Sequence, residues 1–261
     1  MITRLIYFIS LIILLVGCQS AAILPYTEKE MVDNRGVSMV LVSDGSFLMG
    51  NEDELHTVVL DAFYIDQYEV TNSAYQSCVD AGLCTPPDFP DQPELLEHLG
   101  YYDELSPVTF VSWEQAQAYC TWRGARLPTE AEWEKAARGI DGRTYPWGEK
   151  IDCSHANYGA ILHICEEKIL PVGSHPQGVS PYNVFDMAGN VEEWTADCYI
   201  NDYVWHGDSP RNPVALEKTS RSRTVRGGTF VMGDSGLTTF GRTSSEPDAD
   251  PFTGFRCAKT P

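Results

Sequence analysis

The order of apolar and polar positions predicts short strands towards both ends of the chain and helices between them. Met39-Val40-Leu41-Val42, the turn pair Asp44-Gly45, then Phe47-Leu48-Met49 predict strand and turn over Val40–Gly50. Apolar Val58, Leu60, Phe63 and Ile65 predict a strand within His56–Asp66, where β-branched and aromatic residues dominate. Thr71 or Asn72 caps a short helix through Val79, stopped near Gly82. Residues 86–104 are rich in Pro and acid and read as an ordered surface loop, followed by a short extended run at Pro107–Val111.

Two capping boxes then mark two helices. In Ser112-Trp113-Glu114-Gln115 the serine covers an orphan amide and Gln115 reaches back. That helix runs to about Arg123 and ends at Gly124, with Ala116, Tyr119, Cys120 and Arg123 on its inward stripe. Thr129-Glu130-Ala131-Glu132 repeats the device behind Pro128, with Trp133, Ala136 and Ala137 as the buried face and Gly139 as the stop. From Gly142 onward turns and short strands are predicted. Tyr145–Gly148 is a turn, Thr224–Val231 a strand broken by two glycines, and Gly254–Ala258 a final strand. No internal repeat or low-complexity block is present.

Composition narrows the classes. A chain of 261 residues, 43% hydrophobic and 11% aromatic, can bury a full core despite 21 Gly and 16 Pro. A net charge of -19 argues against nucleic acid and anionic lipid surfaces as direct partners. The acidity fits cation binding, although a soluble surface is its usual meaning.

Residues 1–17 read as a signal segment: Arg4, the apolar run Leu5–Val16, then Gly17-Cys18. The run is too short to span a membrane comfortably. Leu15-Val16-Gly17-Cys18 resembles the lipobox of bacterial lipoproteins, which implies a mature chain beginning at diacylated Cys18. The expectation is an exported protein held at a membrane by its lipid, in an oxidising compartment. Gln19 in place of Asp points, by the same resemblance, to the outer membrane or its periplasmic face. Residues 18–36 read as a tether and 37–261 as the folded domain.

Seven cysteines remain after Cys18. Sequence alone does not fix their connectivity. Proximity suggests Cys78–Cys84 and Cys153–Cys165, and Cys120 with Cys257 would then join the middle of the chain to its end. Cys198 is left over, a reactive thiol or, more commonly, a buried small apolar residue.

The stretch Tyr182–Trp194 places Asp186 seven residues before Glu193, with Gly189 and Asn190 suited to a turn between them. Such a turn can wrap one hard cation in carboxylates and carbonyls, and calcium suits those ligands. Spacing alone favours a plainer account, a buried turn whose acids cap the backbone.

Nine collinear pieces change that balance. They are Asp44–Gly50, Tyr68–Asn72, Pro107–Trp113, Ala118–Cys120, Arg126–Glu134, Tyr145–Gly148, Gly189–Trp194, Arg226–Gly228 and Gly254–Cys257. Together, over nearly all of residues 37–259, they resemble the formylglycine-generating enzyme (sulfatase-modifying factor) family. The resemblance implies an α+β fold like an elaborated C-type lectin: loop-rich, with two main helices and small antiparallel sheets. It implies the Cys120–Cys257 bond. It also implies structural calcium on side-chain oxygens of Asp186 and Glu193 and on carbonyls of Gly189 and Val191. A second calcium site would begin at Asn157 and Tyr158, its later ligands falling somewhere in His163–Glu167.

The family's chemistry is the oxidation of a substrate cysteine to formylglycine by oxygen. Copper(I) is held between two thiolates shortly after the Arg-Gly-Gly strand, because a soft ion selects sulfur. Here the corresponding region, Gly228–Arg242, contains no Cys, and none occurs between Cys198 and Cys257. Met232 is the one sulfur there and reads as a packing residue. Copper is therefore not expected, nor formylglycine synthesis. The six His show no zinc-hydrolase spacing, and no G-x-S-x-G or P-loop occurs. Asp234 and Ser235 lie near the family's active centre without an assignable base. Two functions compete. One is a non-catalytic binding or scaffolding module for a cell-envelope protein, peptide or glycan, with Gly233–Asp250 as its surface. The other is an oxidoreductase of this family with altered active-site chemistry.

Overall fold

The computed structural model describes residues 29–201, 210–216 and 221–261. Cys18 and the signal segment lie outside them. The strands are β1 Glu30–Val32, β2 Ser38–Val42, β3 Gly45–Met49, β4 His56–Leu60, β5 Phe63–Asp66, β6 Glu192–Cys198, β7 Arg223–Arg226, β8 Arg242–Ser245, β9 Thr253–Gly254 and β10 Ala258–Lys259. The α-helices are α1 Asn72–Asp80, α2 Pro93–His98, α3 Trp113–Trp122 and α4 Glu130–Arg138. The strands form three small sheets, ordered β1-β2-β5-β10, β3-β4 and β8-β7-β6-β9. All pairings are antiparallel except β6 with β9, a two-residue parallel pair at Glu192↔Thr253 and Glu193↔Gly254. The α+β, loop-rich architecture agrees with the expectation.

Both capping boxes are formed. Ser112 accepts from the Gln115 amide at 3.2 Å while Gln115 Oε1 accepts from the Ser112 amide at 2.7 Å. Thr129 and Glu132 exchange the same bonds at 3.1 and 2.8 Å. Such a cap contributes about 1 kcal/mol to its helix. Thr71 caps α1, taking the Ala74 amide at 3.2 Å.

Helix α4 goes further than its pattern predicts. Trp133, Ala136 and Ala137 are buried against Phe47, Met49, Leu60 and Ile65, as expected. Its charged residues are buried too. Lys135 Nζ donates to the carbonyls of Ser43 and Gly45 at 2.7 and 3.0 Å. Glu134 accepts from the Gly50 amide at 2.8 Å and pairs with Arg138 and Arg226. Buried charges persist where each has a partner, and here each does.

Three expectations are corrected. The segment read as a tether is in part folded: β1 pairs with β2, and Asp33 accepts two bonds from buried Arg123, at 2.9 and 2.7 Å. The loop 86–104 contains α2, which begins on Pro93 and buries only Leu96, too little periodicity to read from sequence. The strand expected within His56–Asp66 is two strands in different sheets, separated at Asp61-Ala62.

Three disulfides are present: Cys78–Cys84, Cys120–Cys257 and Cys153–Cys165. Cys198 is buried outside them, and its sulfur accepts a bond from Arg223 at 3.3 Å.

Candidate functional site

The turn leading into β6 lies in the interior, and its backbone is tightly specified. Gly189 has φ of 82°, and a Cβ there would stand 2.3 Å from the Asn157 carbonyl oxygen, so only glycine fits. Asn190 follows at φ 62°, its amide donating to that same oxygen at 2.9 Å. Asn157 and the turn are thus brought together.

The Asn190 side chain ties four segments. Its Nδ2 donates to Glu69 Oε2 and to the Leu170 carbonyl, both at 3.2 Å. Its Oδ1 accepts from the Leu170 amide at 3.0 Å and from Asn157 Nδ2 at 3.4 Å. Glu193, fully buried, is held by Arg256 through both oxygens at 2.7 Å, and Trp133 Nε1 donates to Oε2 at 2.9 Å. Asp186 accepts from the Gly173 amide at 2.6 Å. Burial pushes its carboxyl up to about 6, against the Gly173 amide and Arg256, with Glu193 adding to the rise.

Glu69 completes the cluster. It is 2% exposed, and its Oε1 has no hydrogen-bond partner. Burial raises its carboxyl well above the usual range, and neighbouring Asp186 and Glu193 raise it further. Two buried carboxylates, Glu69 and Glu193, and the half-buried Asp186 therefore lie within the field of one guanidinium, Arg256, which hydrogen-bonds to Glu193. That is an arrangement a divalent ion would relieve. Among the described residues no three His, Cys, Asp or Glu side chains group to hold a metal by themselves. The set carried over from the resemblance would need the backbone carbonyls of Gly189 and Val191 as well.

The other predicted site residues lie close by. Asn157 is buried, donates to the Lys168 carbonyl at 2.8 Å, and keeps an unpartnered Oδ1. Tyr158 is buried beside Tyr145 and Leu237. In His163–Glu167 the two end residues pair with each other on the surface.

The segment after β7 carries the remaining question. Gly228 is at φ 68°, and a Cβ there would meet the Gly236 carbonyl at 2.6 Å, so the chain folds back tightly. The Phe230 amide donates to the Asn190 carbonyl at 2.9 Å, linking this segment to the carboxylate cluster. Met232 packs on Tyr145, Ala156, Tyr158, Ala188 and Leu237, a hydrocarbon contact in line with its sequence reading. Asp234 and Ser235 are exposed, and Asp234 accepts the Ser235 amide in a local turn.

The sequence profile of the sulfatase-modifying factor enzyme 1-like domain matches residues 26–261. This chain belongs to that family. It is 32% identical to the formylglycine-generating enzyme of Thermomonospora curvata, over 85% of this chain and 93% of the relative. It is 45% identical to the inactive C-alpha-formylglycine-generating enzyme 2 of Bos taurus, over 36% of this chain and 33% of the relative. The solved structure of PvdO from Pseudomonas aeruginosa superposes with a TM-score of 0.73, covering 87% of this chain and 96% of that one, at 27% identity. The structure places Asp186, Gly189 and Glu193, singled out from the sequence, beside Glu69 and Arg256, which sequence reasoning did not link to them. The signal was available. Glu69 stands between Tyr68 and Val70, and Arg256 between Phe255 and Cys257, and a lone charge inside an apolar run calls for a buried partner.

Proposed function

We propose that the protein is a lipid-anchored cell-envelope protein whose formylglycine-generating-enzyme-like domain is non-catalytic and serves as a binding or scaffolding module. The observation that carries this reading is the absence of any cysteine from Gly228–Arg242, where Met232 packs into an aromatic and aliphatic cluster instead. One thioether cannot supply the paired thiolates that copper(I) requires. A family relative described as inactive is a precedent for loss of the activity. The lipobox ending at Cys18 supports the anchor and, with Gln19, an outer-membrane location. The three disulfides suit an oxidising compartment. A rigid disulfide-tied frame displaying loops suits a protein, peptide or glycan partner.

The purified domain, given copper(I), oxygen and a Cys-x-Pro-x-Arg peptide, is expected to form no aldehyde. Time-dependent aldehyde detected by mass spectrometry would establish the competing oxidoreductase reading.

Calcium belongs to the same reading as a structural ion. Asp186, Glu193 and the carbonyls of Gly189 and Val191 would hold it, with Glu69 adding negative charge nearby; it would neutralise charge and brace the turn. Saturating calcium at about 100 times its dissociation constant would stabilise the fold by about 2.7 kcal/mol. For a domain of this size that is about 5–11 °C in Tm. Chelation should remove this increment and magnesium should restore little of it; a Tm indifferent to chelator would exclude the ion.

A further inference from the structure

A cavity of about 380 Å³ opens between α1 and the 86–104 segment, and none of Glu69, Asp186, Glu193 or Arg256 lines it. Tyr75 and Tyr101 form its buried floor. Phe89 and Tyr102 form adjoining walls, their ring centroids 5.0 Å apart and their planes at 69°. Asp80 and Glu104 stand at the exposed rim, and no Lys, Arg or His lines the space.

The cavity is built in advance. Asn72 Nδ2 donates to the carbonyls of Tyr101 and Asp103, both at 2.8 Å. The Asn72 and Ser73 amides donate to the carbonyls of Ser106 and Glu104, both at 3.0 Å. These four bonds clamp the loop onto the start of α1. Behind the walls, Phe110 packs on Phe89 and Tyr101 at 5.1 and 5.3 Å. Phe110 sits at φ 54°, a left-handed conformation that a bulky side chain rarely adopts and that concentrates at functional sites. The local field is negative: Asp88 and Asp250, after burial, contribute to pushing the Tyr75 and Tyr101 phenols up to about 12.

We propose that this cavity binds a cationic side chain, the guanidinium or ammonium of an arginine or lysine in a partner polypeptide. Aromatic faces set at an angle attract a cation, the apolar floor takes its aliphatic stem, and the rim carboxylates accept its N–H bonds. The volume admits one long side chain lying across the floor with its charged head turned to the Asp80 and Glu104 side of the rim. This deepens the binding reading, on which it rests, by naming what is recognised.

The test is calorimetric titration of the full chain, solubilised in detergent, with three capped pentapeptides that differ only in a central Arg, Lys or citrulline. Saturable one-to-one binding is expected for Arg or Lys, at least tenfold weaker for neutral citrulline, and weakened by salt. Phe89→Ala, and separately the surface pair Asp80→Asn with Glu104→Gln, should each weaken binding about tenfold or more while Tm stays within a few degrees. Equal affinity for citrulline, or affinity unchanged in the Asp80/Glu104 variant, overturns the proposal. An envelope partner captured equally well by wild type and both variants would also overturn it, while leaving the broader binding reading standing.

Discussion

Arg256→Met is expected to destabilise the domain by about 3–5 kcal/mol, lowering Tm by roughly 6–20 °C. Arg256 is fully buried and binds both oxygens of Glu193 and the Phe185 carbonyl, the last at 2.9 Å. Its removal leaves Glu193, Glu69 and Asp186 facing one another without a guanidinium. The cost comes from the stranded carboxylates more than from the lost bonds, since an unpaired buried charge is far worse than a missing pair. Arg256→Met combined with Glu193→Met should therefore recover part of the loss. Denaturant titration of the three variants checks this; a loss below about 1 kcal/mol for Arg256→Met would show that the cluster is not held by that guanidinium.

Opening the Cys120–Cys257 bond, by replacing both with Ala, should cost about 5 kcal/mol on the chain-entropy account. The bond spans 137 residues and ties α3 to the end of the chain inside a cluster containing Trp113, Tyr119, Trp194 and Phe255. Cys78–Cys84 spans only 6 residues, for which the same account gives about 2 kcal/mol. The ordering is the test: equal losses for the two double-alanine variants would mean that loop length does not set the stabilisation.

What could be read from the chain follows the range of the interactions. Caps act within four residues, so Ser112, Thr129 and Thr71 were legible as helix starts. Cys78–Cys84 and Cys153–Cys165 were legible because short loops limit the choices. The proposal of calcium at this turn needed the resemblance, since the spacing of Asp186 and Glu193 alone favours a capped turn. Glu69 and Arg256 were not placed, because their partners lie 121 and 63 positions away. The full burial of α4 was hidden for the same reason. Only the fold supplies Ser43, Gly45 and Gly50 to its charged face, and a sequence shows Lys135 and Arg138 simply as polar.

The binding reading turns on sulfur, and one measurement reaches it directly. Thiols are counted on the denatured, unreduced mature chain, and the native chain is titrated with copper(I) against a competing chelator. With six cysteines in disulfides, and Cys18 lipidated as proposed, one thiol per chain is predicted, that of Cys198, and no stoichiometric copper(I) taken from the chelator. Two or more thiols per chain together with one tightly held copper(I) would contradict it.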